Sequence, residues 1–126
     1  MLILDSGAVS RLAERSTRAL ALVRAFRAAD LWPPIAPTVV LVESLHGHSG
    51  RDATTNQFLK ACTIESQVSA RTARRAAELR RRARRGSAVD AIVVALAEPG
   101  GTILTGDKED LEALAAHAHD VSIETI

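Results

Sequence analysis

The chain has no tyrosine, one cysteine, one tryptophan and two phenylalanines. Without a phenol, covalent chemistry on tyrosine is excluded. With Phe26, Trp32 and Phe58 as the whole aromatic complement, there is no broad stacking platform, so any polyanion would have to be gripped through charge and shape. The three rings are most simply core. Cys62 cannot form an internal disulfide, thiolate metal sites are excluded, and a reducing cytoplasm is the expected location. No apolar run approaches the roughly 20 residues that a membrane helix needs. The opening Met-Leu-Ile-Leu-Asp lacks the basic lead of a signal peptide. A Walker-type phosphate cradle and a Gly-x-Ser-x-Gly elbow are both missing. His46 with His48, and His117 with His119, are spaced so that a helix would point each pair apart, and they read as surface or capping residues rather than zinc ligands.

What is present is a soluble composition, 47% hydrophobic and 25% charged over 126 residues, the size of one domain spanning 1–126. The net charge of +1 conceals a sorting: residues 71–85 hold eight arginines and one glutamate, so this segment carries +7 and the rest of the chain −6. Such a chain can offer a cationic face to a polyanion and keep an acidic site elsewhere. Four acids border apolar runs: Asp5 after Leu2-Ile3-Leu4, Glu43 after Val39-Val40-Leu41-Val42, Asp90 before Ala91-Ile92-Val93-Val94, and Asp107 after Ile103-Leu104-Thr105-Gly106. Carboxylates at the edge of a core lose hydration and repel one another unless a positive group joins them. A hard divalent cation is the economical partner.

Strands are expected over 2–4, 31–35, 62–64, 102–105 and, at an edge, 121–124. Helices are expected over 8–14, 17–29, 52–61 and 69–85, from Ser87 through 97, and from Asp107 to about 117. Residues 38–47 are contested: β-branched content favours a strand, whereas Pro37-Thr38 as a start and Gly47 as a stop favour a helix, which is the assignment adopted. Ser87 and Asp90 have the spacing of a capping box. On helix 69–85, Thr72, Ala76, Leu79 and Ala83 form a narrow apolar stripe, with arginines over most of the remaining circumference. The alternation of strands and helices implies a three-layer α/β/α domain on a mostly parallel central sheet, with ligands bound beyond the carboxyl ends of the strands.

Three or four carboxylates suit Mg²⁺ or Mn²⁺, which favour oxygen donors and can activate water for in-line attack on a phosphodiester. Taken in order, Leu-Asp-Ser near the start, Val-Glu after a proline, Asp-Ala-Ile-Val-Val-Ala-Leu-Ala, and Ile-Leu-Thr-Gly-Asp resemble the PIN-domain ribonucleases over nearly the whole chain. Size and order are most similar to the VapC-type toxins of toxin–antitoxin pairs. The resemblance implies Mg²⁺- or Mn²⁺-dependent endonucleolytic cleavage of RNA, a homodimer, and inhibition by a cognate antitoxin. It places the metal-binding, catalytic acids on Asp5, Glu43, Asp90 and Asp107, with Ser6 and Thr105 as hydroxyls beside the metal and Asp110 in a supporting position. Gly7 departs from the family pattern, standing where many relatives carry a larger polar residue. Arg80, Arg81, Arg82, Arg84 and Arg85, leading through Gly86 to Asp90, are candidate RNA contacts; the alternative is solubility or pairing with an acidic partner. The competing function is a non-catalytic PIN-like module that binds RNA or protein. A haloacid-dehalogenase-type phosphatase would need an acid at position 7, which is glycine.

Overall fold

The computed structural model describes all 126 residues. Its centre is a strand whose three residues, Leu2–Leu4 (β1), are at most 1% exposed. Helix Ser6–Ala13 (α1) follows immediately, two residues earlier than periodicity suggests, because the Asp5 carboxylate accepts from Ala8 N–H at 2.7 Å and so caps it. Helix Thr17–Ala28 (α2) is capped by Ser16, whose Oγ accepts from Ala19 N–H at 3.1 Å. The second strand, expected at 31–35, is Ile35–Pro37 (β2). Pro33 and Pro34 have no N–H to give a ladder, so pairing with β1 begins only beyond them, at Ile35 opposite Ile3.

The contested segment is a helix, Thr38–Ser44 (α3), but it stops three residues short of 47. Leu45 turns extended, and the N–H groups of His46, Gly47 and His48 go to the Asp52 carboxylate at 2.9–3.1 Å instead of continuing a helix. Helix Ala53–Leu59 (α4) and strand Thr63–Glu65 (β3) complete the first half. Helix Ala70–Ala83 (α5) buries Ala76 and Leu79 and ends where Arg84 goes left-handed, with φ of 55°. Helix Ala88–Ala97 (α6) starts at the predicted capping box. Strand Thr102–Thr105 (β4), helix Glu109–Ala115 (α7) and strand Ser122–Thr125 (β5) finish the chain. Asp107 lies two residues before α7 rather than opening it, since its main chain folds back onto Thr105.

The sheet order is β3-β2-β1-β4-β5 and every pairing is parallel. One helix layer has α1 against α2, α3 and α4; the other has α5, α6 and α7 packed together. Leu2, Ile3, Leu4, Ile103, Leu104, Val93 and Val94 are fully buried between them. Phe26 joins this core, while Trp32 is half-buried with the Arg27 guanidinium 5.5 Å from its ring centre. No helix is long and apolar enough to cross a membrane.

Candidate active site

In this order the direction of winding reverses at β1, whose neighbours are β2 and β4, the β1–β4 seam being crossed only by the long connection through α5 and α6. The carboxyl ends of β1 and β4 therefore frame an opening, as a parallel sheet leaves at such a reversal. A cavity of about 380 Å³ lies there. Asp5 reaches it from the end of β1, Glu43 from the last turn of α3, Asp90 from the first turn of α6, and Asp107 from the loop after β4. Leu111 is the one hydrophobic residue in its lining. Asp5 and Asp107, 102 positions apart, are thus brought to one polar recess.

Asp5 is held at both oxygens: Oδ1 by the Ala8 N–H, Oδ2 by the Thr105 hydroxyl. Burial raises its pKa above the ordinary carboxylate range and the neighbouring Asp90 charge adds to this, while the Thr105 and Ala8 hydrogen bonds pull the other way. Thr105, fully buried beneath the cavity, also accepts from Asp107 N–H at 2.9 Å, so one hydroxyl positions two of the acids. Ser6, the first residue of α1, lines the cavity directly. Asp90 Oδ2 accepts from Ser87 N–H and Ser87 Oγ from Asp90 N–H, both at 3.0 Å, which fixes Asp90 through its capping role. Glu43 is tethered least. Its pKa is raised by partial desolvation and then by the charges of Asp90 and Asp5.

The donor set is entirely hard oxygen, and the mutual repulsion of Asp5, Glu43 and Asp90 is what a divalent cation would relieve. The acids face the recess from separate elements, and no three of them converge as ligands to a single point. Asp110 also lines the cavity, but its Oδ1 is taken by Arg85 Nε at 2.7 Å, while Arg85 Nη2 binds Glu109 at 2.9 Å.

The other arginines at the end of α5 stand outside the cavity: Arg82 pairs with Glu78, Arg80 donates to Gly86 O at 3.3 Å, and Arg81 and Arg84 are exposed without an ion pair. The cation that does line the acidic cavity is Arg11, which the sequence reading passed over. Its signal was available, since Arg11 lies one helical turn after Gly7 on the same face of α1. Gly7 itself packs against Gly106 so closely that a Cβ would meet its backbone at 3.1 Å. The larger polar side chain that many relatives carry would crowd the Gly106 backbone there.

A family model described as PIN domain matches residues 2–117. Among curated proteins no sequence matches. Among solved structures, the chain is similar to one in the crystal structure of VapBC2 from Rickettsia felis bound to a DNA fragment from their promoter, with a TM-score of 0.73, 14% identity, and coverage of 99% of this chain and 98% of the other.

Proposed function

The chain belongs to the PIN-domain family, and on that premise we propose that it is a divalent-metal-dependent endoribonuclease serving as the toxin of a toxin–antitoxin pair. The observation that carries this reading is the gathering of Asp5, Glu43, Asp90 and Asp107 from four elements onto one cavity at the carboxyl end of the sheet. Mg²⁺ or Mn²⁺ held among these carboxylates would supply a Lewis acid for the phosphodiester and a more acidic water as nucleophile. The protein's own part is positional. Thr105 and the Ala8 N–H orient Asp5, Ser87 orients Asp90, and the Thr105 oxygen anchors the loop that carries Asp107. Ser6 offers a hydroxyl at the cavity wall and Arg85 restrains Asp110 at its rim.

A cognate antitoxin is the proposed partner, supported by the similarity to a chain of a VapBC complex, and a homodimer is the proposed assembly. The exposed arginines of α5, Arg80, Arg81 and Arg84, together with Arg82 and Arg85 once their acids are displaced, are proposed RNA contacts outside the cavity.

Purified protein is expected to cut RNA with Mg²⁺ or Mn²⁺ and to stop when chelator is added. Asp5→Asn and Asp90→Asn should each slow cleavage by at least about a hundredfold. Undiminished cutting by both variants would sink the proposal. A non-catalytic module would instead show no cleavage, and titration calorimetry would find no Mn²⁺ binding that Asp5→Asn abolishes.

A further inference from the structure

A second cavity, of about 360 Å³, adjoins the first, and Arg11 lines both. Its other walls are Glu14, Ser16, Arg18 and Ile126. The chemistry changes between the two recesses, from five carboxylates with Ser6 and Ser87 on one side of Arg11 to one further guanidinium group, a hydroxyl and a single side-chain acid on the other. Neither Arg11 nor Arg18 forms an ion pair with a side-chain carboxylate, although Glu14 shares their cavity and five acids share the first one with Arg11. An arginine beside uncompensated carboxylates would ordinarily fold onto them. Arg11 is held away instead: its Nη1 donates to the main-chain oxygen of Ile126 at 2.7 Å, and its Nε lies where a Cβ on Gly106 would meet it at 3.3 Å. A side chain would crowd that place, and Gly106 has none. The main-chain oxygen of Ile126 occupies one of five N–H donors, so the rest of the fork stays available.

We propose that the second cavity is a phosphate subsite for single-stranded RNA, in which Arg11 and Arg18 hold the backbone phosphate next to the bond presented to the acidic cavity. The assignment rests on the nuclease reading above and names where its substrate continues. Guanidinium groups match phosphate oxygens in a planar, two-pronged fashion. Ser16 Oγ already accepts from Ala19 N–H at 3.1 Å, which leaves its hydroxyl hydrogen free to donate. Arg11 at the junction makes the two recesses one track, with a phosphate on each side of a fixed cation. A substrate of a single nucleotide would forgo that second contact.

The test compares Arg18→Gln, Arg11→Gln and Arg11→Lys with Arg24→Gln, an exposed arginine further along α2 outside both cavities. Steady-state cleavage of a single-stranded oligoribonucleotide is read alongside anisotropy binding of its uncleavable 2′-O-methyl counterpart across a salt series. For Arg18→Gln, KM should rise about tenfold, with kcat held within about twofold. The slope of log K against log salt should fall by about 0.7, one contact's worth. Arg11→Gln should lose the same slope and Arg11→Lys should recover it, whereas a merely structural role would move the melting temperature and leave the slope alone. The proposal is overturned if Arg18→Gln keeps the wild-type KM and slope, or if Arg24→Gln loses as much. Should the wild type cut no RNA, the nuclease reading fails by itself. The 2′-O-methyl binding series then decides the subsite, with no binding, or binding indifferent to Arg18, ending it.

Discussion

Asp5 titrates above the usual carboxylate range because burial outweighs its two hydrogen bonds. A raised folded pKa means that the protonated form stabilises the fold, an effect fully present below the unfolded pKa and lost as pH rises through the folded one. At neutral pH the ionised group therefore costs stability. Asp5→Asn keeps an oxygen to cap α1 and removes the charge, and the buried Thr105 hydroxyl can turn to the Asp107 carbonyl oxygen, 2.8 Å away. The variant should melt above the wild type at about pH 7, and the difference should narrow towards about pH 3, where Asp5 is neutral in either state. Thermal melts at the two pH values measure it, and a gap that widens on acidification would contradict the assignment. The same residue that weakens the metal-free fold is thus central to the proposed chemistry, a trade that active sites commonly make.

At the scale of elements, one side-chain device positions Asp90 and another shapes the loop after α3. Removing the cap with Ser87→Ala should destabilise the protein by about 1 kcal/mol, and the loss is read from urea unfolding. Cleavage should fall as well, because the Asp90 N–H loses its acceptor and the helix start that carries the Asp90 carboxylate is held only by the Ser87 N–H. Asp52 organises the loop after α3 by collecting the N–H groups of His46, Gly47 and His48. Its pKa is held at about 2, chiefly by the His46 backbone bond. A depressed pKa contributes stability that is present above the unfolded value and lost as pH falls through the folded one. Asp52→Asn should therefore lower the melting temperature at pH 7 and matter progressively less below about pH 4.

The capping box was legible in sequence because it is local, two residues three positions apart that satisfy each other. The Asp52 loop was not, because nothing in Asp52 by itself announces three backbone donors arriving from a turn upstream. The same limit applies to β2: Pro33 and Pro34 were visible as poor strand formers, but only the pairing of Ile35 with Ile3 shows on which side of them the strand lies. Arg11 was missed for a third reason. Its spacing one turn after Gly7 was visible, but what that spacing means depends on Gly106 and Ile126 being placed around it.

For the molecule as a whole, the parallel order of the sheet was foreseeable from alternating elements, and the register that sets β1 against β4 was not. That register decides the site, since it brings Asp5 next to Thr105. Because the acids repel one another across the cavity, a divalent ion that joins them should stabilise the entire fold. At a hundredfold excess over Kd, Mn²⁺ should add about 2.7 kcal/mol to unfolding, seen as a rise in Tm that chelator reverses. Asp90→Asn should blunt that rise, and an equal rise in the variant would place the ion elsewhere.

The β1–β4 seam also has a meaning in time. Asp5 and Glu43 belong to the first half of the chain, while Asp90, Thr105 and Asp107 belong to the second, and β1 has only β2 beside it until β4 arrives. A ribosome-bound chain that has emerged through α5 therefore holds two of the four acids and an open edge on its central strand. Under the proposed function, a growing toxin has an incomplete site until β4 arrives and closes that edge.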